Sequence, residues 1–213
     1  VDHRNELDVS ASGPITSEFS YVGSIDLIRT DTRWWQDLER FFSSPISSTY
    51  SAFAKLDYQP SAPVRVSGQM LYSYKKYHDY EYSWRFNLDG LPSRKDDGYR
   101  LALLASHAPS ESFFYTASVS RYLLKSAINE GSRDDVDTTM YQWDFFLRYV
   151  MDGQRSWWAR RKQINNDVKA DLTWRPDEHH LIKAGGELNL YEIFSDVVKY
   201  EPQLNIFGKP FVN

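Results

Sequence analysis

Apolar residues recur at every second position along much of this chain, the period of a β-strand with one oily and one polar face. The stretch Tyr50 to Tyr58 is the cleanest case. Tyr50, Ala52, Ala54, Leu56 and Tyr58 share one face, and Ser51, Lys55 and Asp57 point the other way. Seven further stretches read alike: Asn5 to Ser12, Glu18 to Arg29, Pro63 to Tyr74, Tyr99 to His107, Phe113 to Leu123, Gln163 to Trp174 and Leu181 to Tyr191. They come in pairs joined by tight polar turns at Gly13-Pro14-Ile15-Thr16, Gln59-Pro60-Ser61-Ala62, Ala108-Pro109-Ser110-Glu111 and Arg175-Pro176-Asp177-Glu178. Between pairs lie long, aromatic, charged segments: roughly Thr30 to Ser48, Tyr77 to Asp97, Ser126 to Ala159, and everything after Val197. The pattern predicts an all-β chain, an antiparallel meander of eight long strands with the four tight turns at one end.

Strand length narrows the class. Globular strands run ~5–6 residues, and several of these are about twice that. Ten residues at ~3.3 Å each, tilted ~45°, rise about 23 Å, close to the ~25 Å apolar band of outer-membrane barrels. Short turns on one side and long loops on the other are also a barrel habit. The expected fold is therefore a slice of a transmembrane β-barrel, although an open antiparallel sheet over a core shares the same alternation. Two loop stretches are less regular. Thr32 to Phe42 has apolar residues near helical spacing, and Thr138 to Met151 fits either a strand or a helix.

Composition removes other classes. No run of ~18 apolar residues exists for a transmembrane helix, and a mean hydropathy of -0.59 is far from that of a helical membrane protein. A barrel survives this test, because only alternate residues of its strands face lipid. Aromatics reach 16% of the 213 residues, with 15 Tyr, 12 Phe and 7 Trp, enough for interfacial girdles. A net charge of -4 argues against nucleic acid as a partner. With no cysteine, disulfides and thiol chemistry are excluded.

Several segments together resemble the front part of a TonB-dependent receptor barrel, in the outer-membrane group that carries a carboxypeptidase-regulatory-like N-terminal domain. Val9-Ser10-Ala11-Ser12-Gly13-Pro14-Ile15 resembles that group's "SLSGPI" strand and turn, and Tyr50 to Tyr58 its next hairpin's first strand. Phe86-Asn87-Leu88-Asp89-Gly90-Leu91-Pro92 resembles a "YNPDGLP" loop element. Arg160-Arg161-Lys162 followed by Val168 to Thr173, and then His180-Leu181-Ile182-Lys183-Ala184-Gly185-Gly186-Glu187, resemble the later strand and its "HxIKxGxE" return. The resemblance implies a parent barrel of ~22 strands closed around a plug. It also implies location in a Gram-negative type outer membrane, with lipid as surroundings. Import of a scarce small ligand (siderophore, carbohydrate or peptide) would be driven by the TonB complex. On this reading residues 1–213 are a partial barrel domain. The plug, the N-terminal domain, the TonB contacts and the remaining strands would belong to other parts of the parent chain.

No catalytic motif is present: no nucleophile elbow, dinucleotide fingerprint, P-loop or His-Glu-x-x-His. No enzyme activity and no cofactor are expected. Glu178-His179-His180 lacks further metal-ligand spacing and reads as a solvated turn, and Asp134, Asp135 and Asp137 lack the glycine and closing glutamate of a calcium loop. The candidate ligand-binding residues are the paired indoles Trp34, Trp35, Trp157 and Trp158, expected on extracellular loops where they would stack a ring; loop packing or a membrane-interface belt is the competing explanation. Arg155, Arg160, Arg161 and Lys162 are either lipopolysaccharide contacts or a solvated strand end. Arg65, Gln69, Asp167, Lys169, Asp171, Lys183 and Glu187 are expected to face a plug or water on the lumenal side, their alternating charges pairing across strands. Two other architectures stay open: a complete eight-stranded barrel for adhesion or structure, whose first and last strands must pair, and a soluble all-β carbohydrate-binding module, whose two sheets must cover the oily face.

Overall fold

The computed structural model describes residues 4–30, 46–136, 142–144 and 146–200. The chain is all-β. Its long strands are β1 (Arg4–Pro14), β2 (Phe19–Thr30), β3 (Ser47–Ser61), β4 (Val64–His78), β5 (Ser93–Ser110) and β6 (Phe113–Ile128). A short hairpin, β7 (Gln142–Asp144) and β8 (Tyr149–Asp152), precedes the last two, β9 (Trp157–Trp174) and β10 (Ile182–Lys199). The eight long strands form one antiparallel sheet in the order β1-β2-β3-β4-β5-β6-β9-β10. This is the predicted meander. The stretch from Thr138 to Met151, open between strand and helix in the sequence, contributes the hairpin β7–β8. The possible helix at Thr32 to Phe42 lies outside the described residues.

Strands alternate in direction, so the four tight turns share one end of the sheet. Backbone bonds knit neighbouring turns together: Gln59 N–H donates to Glu18 O (2.8 Å), Ala108 to Pro63 (2.9 Å) and Arg175 to Ser112 (2.7 Å). Side chains close two of the turns. Thr16 Oγ1 accepts from the Glu18 and Phe19 amides, and Asp177 accepts from His179, His180 and the His180 ring. The His180 imidazole is thus engaged with its turn aspartate. At the opposite end, residues 79–92, 129–136 and 146–156 stand outside the eight-stranded sheet.

Register carries the oily face across all eight strands. One row runs Gly13, Tyr21, Leu56, Gly68, Leu103, Val119, Val168 and Leu188. Aromatic residues border this face. Phe19, Tyr21, Tyr58, Tyr115 and Trp174 stand towards the turns, with Phe19 stacked on Tyr58 at 4.3 Å. Tyr50, Tyr72, Tyr74 and Tyr99 stand towards the loops. Tyr50 and Tyr58 lie eight residues apart on one strand, about 26 Å at ~3.3 Å per residue.

The band is oblique to the hydrogen-bond rows. The row that begins Leu7, Leu27, Tyr50, Tyr74 continues as Asp97, Lys125 and Lys162, so the oily zone has moved towards the turns by β5. A belt at constant height across tilted strands drifts in this way.

No second layer covers this face among the described residues. Leu7, Val9, Leu56, Leu103, Val168 and Leu188 remain 50–56% exposed. The other face is polar and internally paired. Asp57 takes Lys55 (2.9 Å), Arg65 (3.1 Å) and Ser67; Ser120 donates to Asp167 (2.9 Å); Lys169 sits opposite Glu187 and 3.4 Å from Asp171. β1 bonds only β2, and β10 only β9, so the described sheet is open at both edges.

Candidate functional site

A buried hydrophobic cluster lies at the loop end. Ile46, Trp84, Leu88, Leu91 and Val150 pack together, with Tyr80 against them. Trp84 and Leu88 are four residues apart on successive 3-10 turns, Tyr82–Trp84 and Leu88–Gly90, which brings both to one side. Gly90 lets the segment close. A Cβ there would stand 2.3 Å from Gly153 O and 2.7 Å from the Trp84 ring. Arg155 N–H donates to Gly90 O (2.8 Å), and Asn87 Nδ2 to Gly153 O (2.7 Å). The Phe86 to Pro92 element is therefore a packing device joining two loops.

Beside this cluster, on the polar face at the loop end, is a concavity of about 530 Å³. Tyr77, Arg94 and Trp157 line it from the sheet; Asp79, Tyr80, Glu81 and Arg155 line it from the loops. Ion pairs set its walls: Arg94 with Asp79, and Arg155 with Glu81. The Arg155 guanidinium also lies 4.1 Å from the Trp157 ring centre and 5.2 Å from that of Trp84. Lys199 approaches the Trp157 ring to 4.3 Å, and Lys75 the Tyr77 ring to 4.5 Å. Burial raises the Glu81 carboxyl, but hydrogen bonds from Arg155 and Ser83 outweigh it and hold the group below its ordinary range.

A second surface faces outward. Arg85 lies against three rings, Tyr82, Phe86 and Tyr149, at 5.0–5.8 Å. Tyr149 donates its hydroxyl proton to the Tyr82 oxygen (2.7 Å); that bond, with Arg85, holds Tyr82 below its ordinary value, and the same bond pushes Tyr149 up against the pull of Arg85. Tyr82 and Phe86 are largely exposed, and Phe146 at the β7–β8 tip is 92% exposed. Cation-backed aromatic rings beside a polar concavity can stack planar or sugar rings and hydrogen-bond their substituents.

Of the expected ligand-binding indoles, Trp34 and Trp35 lie outside the described residues. Trp157 and Trp158 are not on a loop: they open β9, pairing with Lys199 and Val198, and as consecutive strand residues they point to opposite faces. Trp157 joins the concavity. Trp158 is buried, donates Nε1–H to Gly131 O (2.9 Å) and is covered by Arg160 at 4.8 Å, which makes it a packing residue. Arg160 is occupied with the carbonyls of residues 128–131, and Arg155 turns into the loop cluster. Asp135 accepts from the Ser132 amide, closing a local capping box; Asp137 lies outside the described residues. The sequence did not single out Glu81, Tyr82, Arg85, Arg94 or Tyr149. For the first four the only signal was a segment alternating aromatic and charged residues between two strands, and Tyr149 had none. Compared with family models, with curated proteins and with solved structures, the chain matches none.

Proposed function

We propose that this chain is a section of the wall of an outer-membrane β-barrel receptor of the TonB-dependent type. It would bind a scarce small ligand at the loop end and admit it to the lumen, with no chemistry performed on it. The observation that carries this reading is the single-layer sheet whose exposed oily face runs between two aromatic borders. A surface of that size left bare in water favours association, whereas hydrocarbon is its natural solvent. Strand direction supports the orientation, with tight turns on the periplasmic side and long loops outside. The polar face then lines the lumen, and the concavity of Tyr77, Arg94, Glu81, Arg155 and Trp157 opens where an incoming ligand arrives. Its mixed charges and ring faces suit a hydroxyl-rich or zwitterionic ligand: a carbohydrate, a peptide or a siderophore. Energy transduction through TonB would act on parts of the receptor other than this wall.

Fractionation of cells producing the full-length protein tests the reading. Recovery in the outer membrane, resistant to carbonate and released by detergent, is the expected result. A monodisperse protein in the soluble fraction would overturn it.

A further inference from the structure

We propose that His78 is a pH-sensitive latch at the base of residues 79–92. Its neutral ring holds the segment seated on the loop core; protonation releases the segment and dismantles one wall of the concavity beside it. The device acts on the concavity assigned above to the incoming ligand, and rests on that reading for its purpose. His78 ends β4 and is the cross-strand partner of Ser93, where β5 begins, so the two close the base of the segment. From there one residue fastens two members of the buried cluster. Its amide donates to Ile46 O (2.8 Å), and its ring N–H donates to the Leu91 carbonyl. Gly90, next to Leu91, accepts the Arg155 amide, and the Arg155 side chain closes on Glu81, so a change at Leu91 reaches the concavity in two short steps. Among the described residues the other imidazoles, His107, His179 and His180, lie at the turn end.

The ring is half-buried and lines the concavity with Tyr77 and Tyr80. Charged groups surround it from every side. Lys76, two residues back on β4, is paired with Glu130; Arg94 comes from β5 and is paired with Asp79. Glu81 and Arg155 pair with each other across the concavity, and Asp89 comes from the segment itself. The cations are thus largely matched before the ring gains a charge. Burial is the strongest influence on His78 and disfavours the imidazolium, and Lys76 repels it. Asp89, Asp79 and the Leu91 bond favour it but do not make up the difference, so the ring is held below its ordinary value. The sign follows. A histidine held below its ordinary 6.5 in the folded state contributes fully above that value and loses its contribution as pH falls towards the lower, folded one. The Glu81 carboxyl titrates below 4.5, so its step is separate.

The test follows the full-length protein by hydrogen exchange and mass spectrometry from about pH 7.5 to about pH 5, with protection referred to the intrinsic exchange rate at each pH. In the wild type residues 79–92 are expected to lose protection across that range while β6 keeps its own. His78→Gln stays neutral and still has an N–H for the Leu91 carbonyl, so its profile is expected to be flat. His78→Lys carries the charge throughout, and its segment is expected to be unprotected already at the upper pH with the strands intact. Lys76→Gln leaves the latch itself untouched and removes the cation that opposes the charged ring; its loss of protection is expected to be shallower than that of wild type. A flat wild-type profile overturns the latch. So does a step that survives in His78→Gln, or a Lys76→Gln profile identical to wild type, which decides the matter even where a substitution at position 78 disturbs the seat. A membrane-resident protein without the step loses only this inference; a protein in the soluble fraction that keeps the step loses the receptor reading and retains the latch.

Discussion

Arg155 ties the loop end together: one guanidinium meets the Glu81 carboxylate, the Trp84 ring of the loop core and the Trp157 ring of the sheet. Removing the Glu81 charge should therefore loosen residues 79–92 without disturbing the strands. The pH dependence has a definite sign. The folded Glu81 carboxyl titrates below its ordinary value of 4.5, so its contribution is full above that value and is lost as pH falls through the lower, folded one. The protection factors of residues 79–92, referred to the intrinsic exchange rate at each pH, should fall on acidification in the wild type, and Glu81→Gln should show the lowered protection already at neutral pH and lose that acid step. Because the pair is partly exposed, solvent screening keeps the effect small relative to packing. Gly90→Ala tests packing itself. The added methyl meets Gly153 O and Trp84, and overpacking of this kind costs about 1–3 kcal/mol. The expected outcome is protease cleavage between residues 79 and 92 at conditions where wild type is resistant.

Each long strand was legible through its alternation, and the prolines marked the turns, because along the middle of the sheet one face is apolar at all but a few positions, Arg121 and Asn166 among them. Strand ends towards the loops were not legible. β5 begins at Ser93 where the sequence suggests Tyr99, and β9 begins at Trp157 where it suggests Gln163. Beyond the band the outer face carries Lys76, Lys95, Asp97, Lys125 and Lys162, so both faces are polar and the period of two disappears while backbone pairing continues. The same loss hid the indole pair: Trp157 and Trp158 look like a loop motif only when β9 is started too late. The ligand-side cluster was beyond reach for another reason. Glu81 and Arg155 are 74 residues apart and meet only through the fold. The face assignment makes a direct prediction on β6. Val119→Arg places a charge mid-band on the oily face and should cost about 2–4 kcal/mol in the membrane. Thr116→Arg, on the polar face opposite Asp171, should be tolerated. Denaturant midpoints of membrane-extracted protein, and the fraction assembled in outer membranes, measure both. Equal penalties would mean that the two faces share one solvent.

At the scale of the molecule, a one-layer sheet with two unpaired edges is a template for further strands, and a barrel is the closed form in which no edge remains. On the barrel reading the two ends of the sheet face different compartments, and this can be tested without a ligand. The chain contains no cysteine, so a single introduced thiol reports one position. Phe146 tips the β7–β8 hairpin at the loop end and is almost wholly exposed; Glu178 sits in the β9–β10 turn at the other end and is exposed as well. In intact cells a membrane-impermeant maleimide should label Phe146→Cys, and should label Glu178→Cys only after the outer membrane is permeabilised. Ser118→Cys, on the polar face of β6 that the barrel reading turns to the lumen, should react slowly in intact cells and faster once denatured. Reversed labelling of the two ends would invert the orientation while keeping the barrel. Equal labelling of both ends in intact cells would place the whole sheet in one aqueous compartment, and its oily face would then need a protein partner in place of lipid.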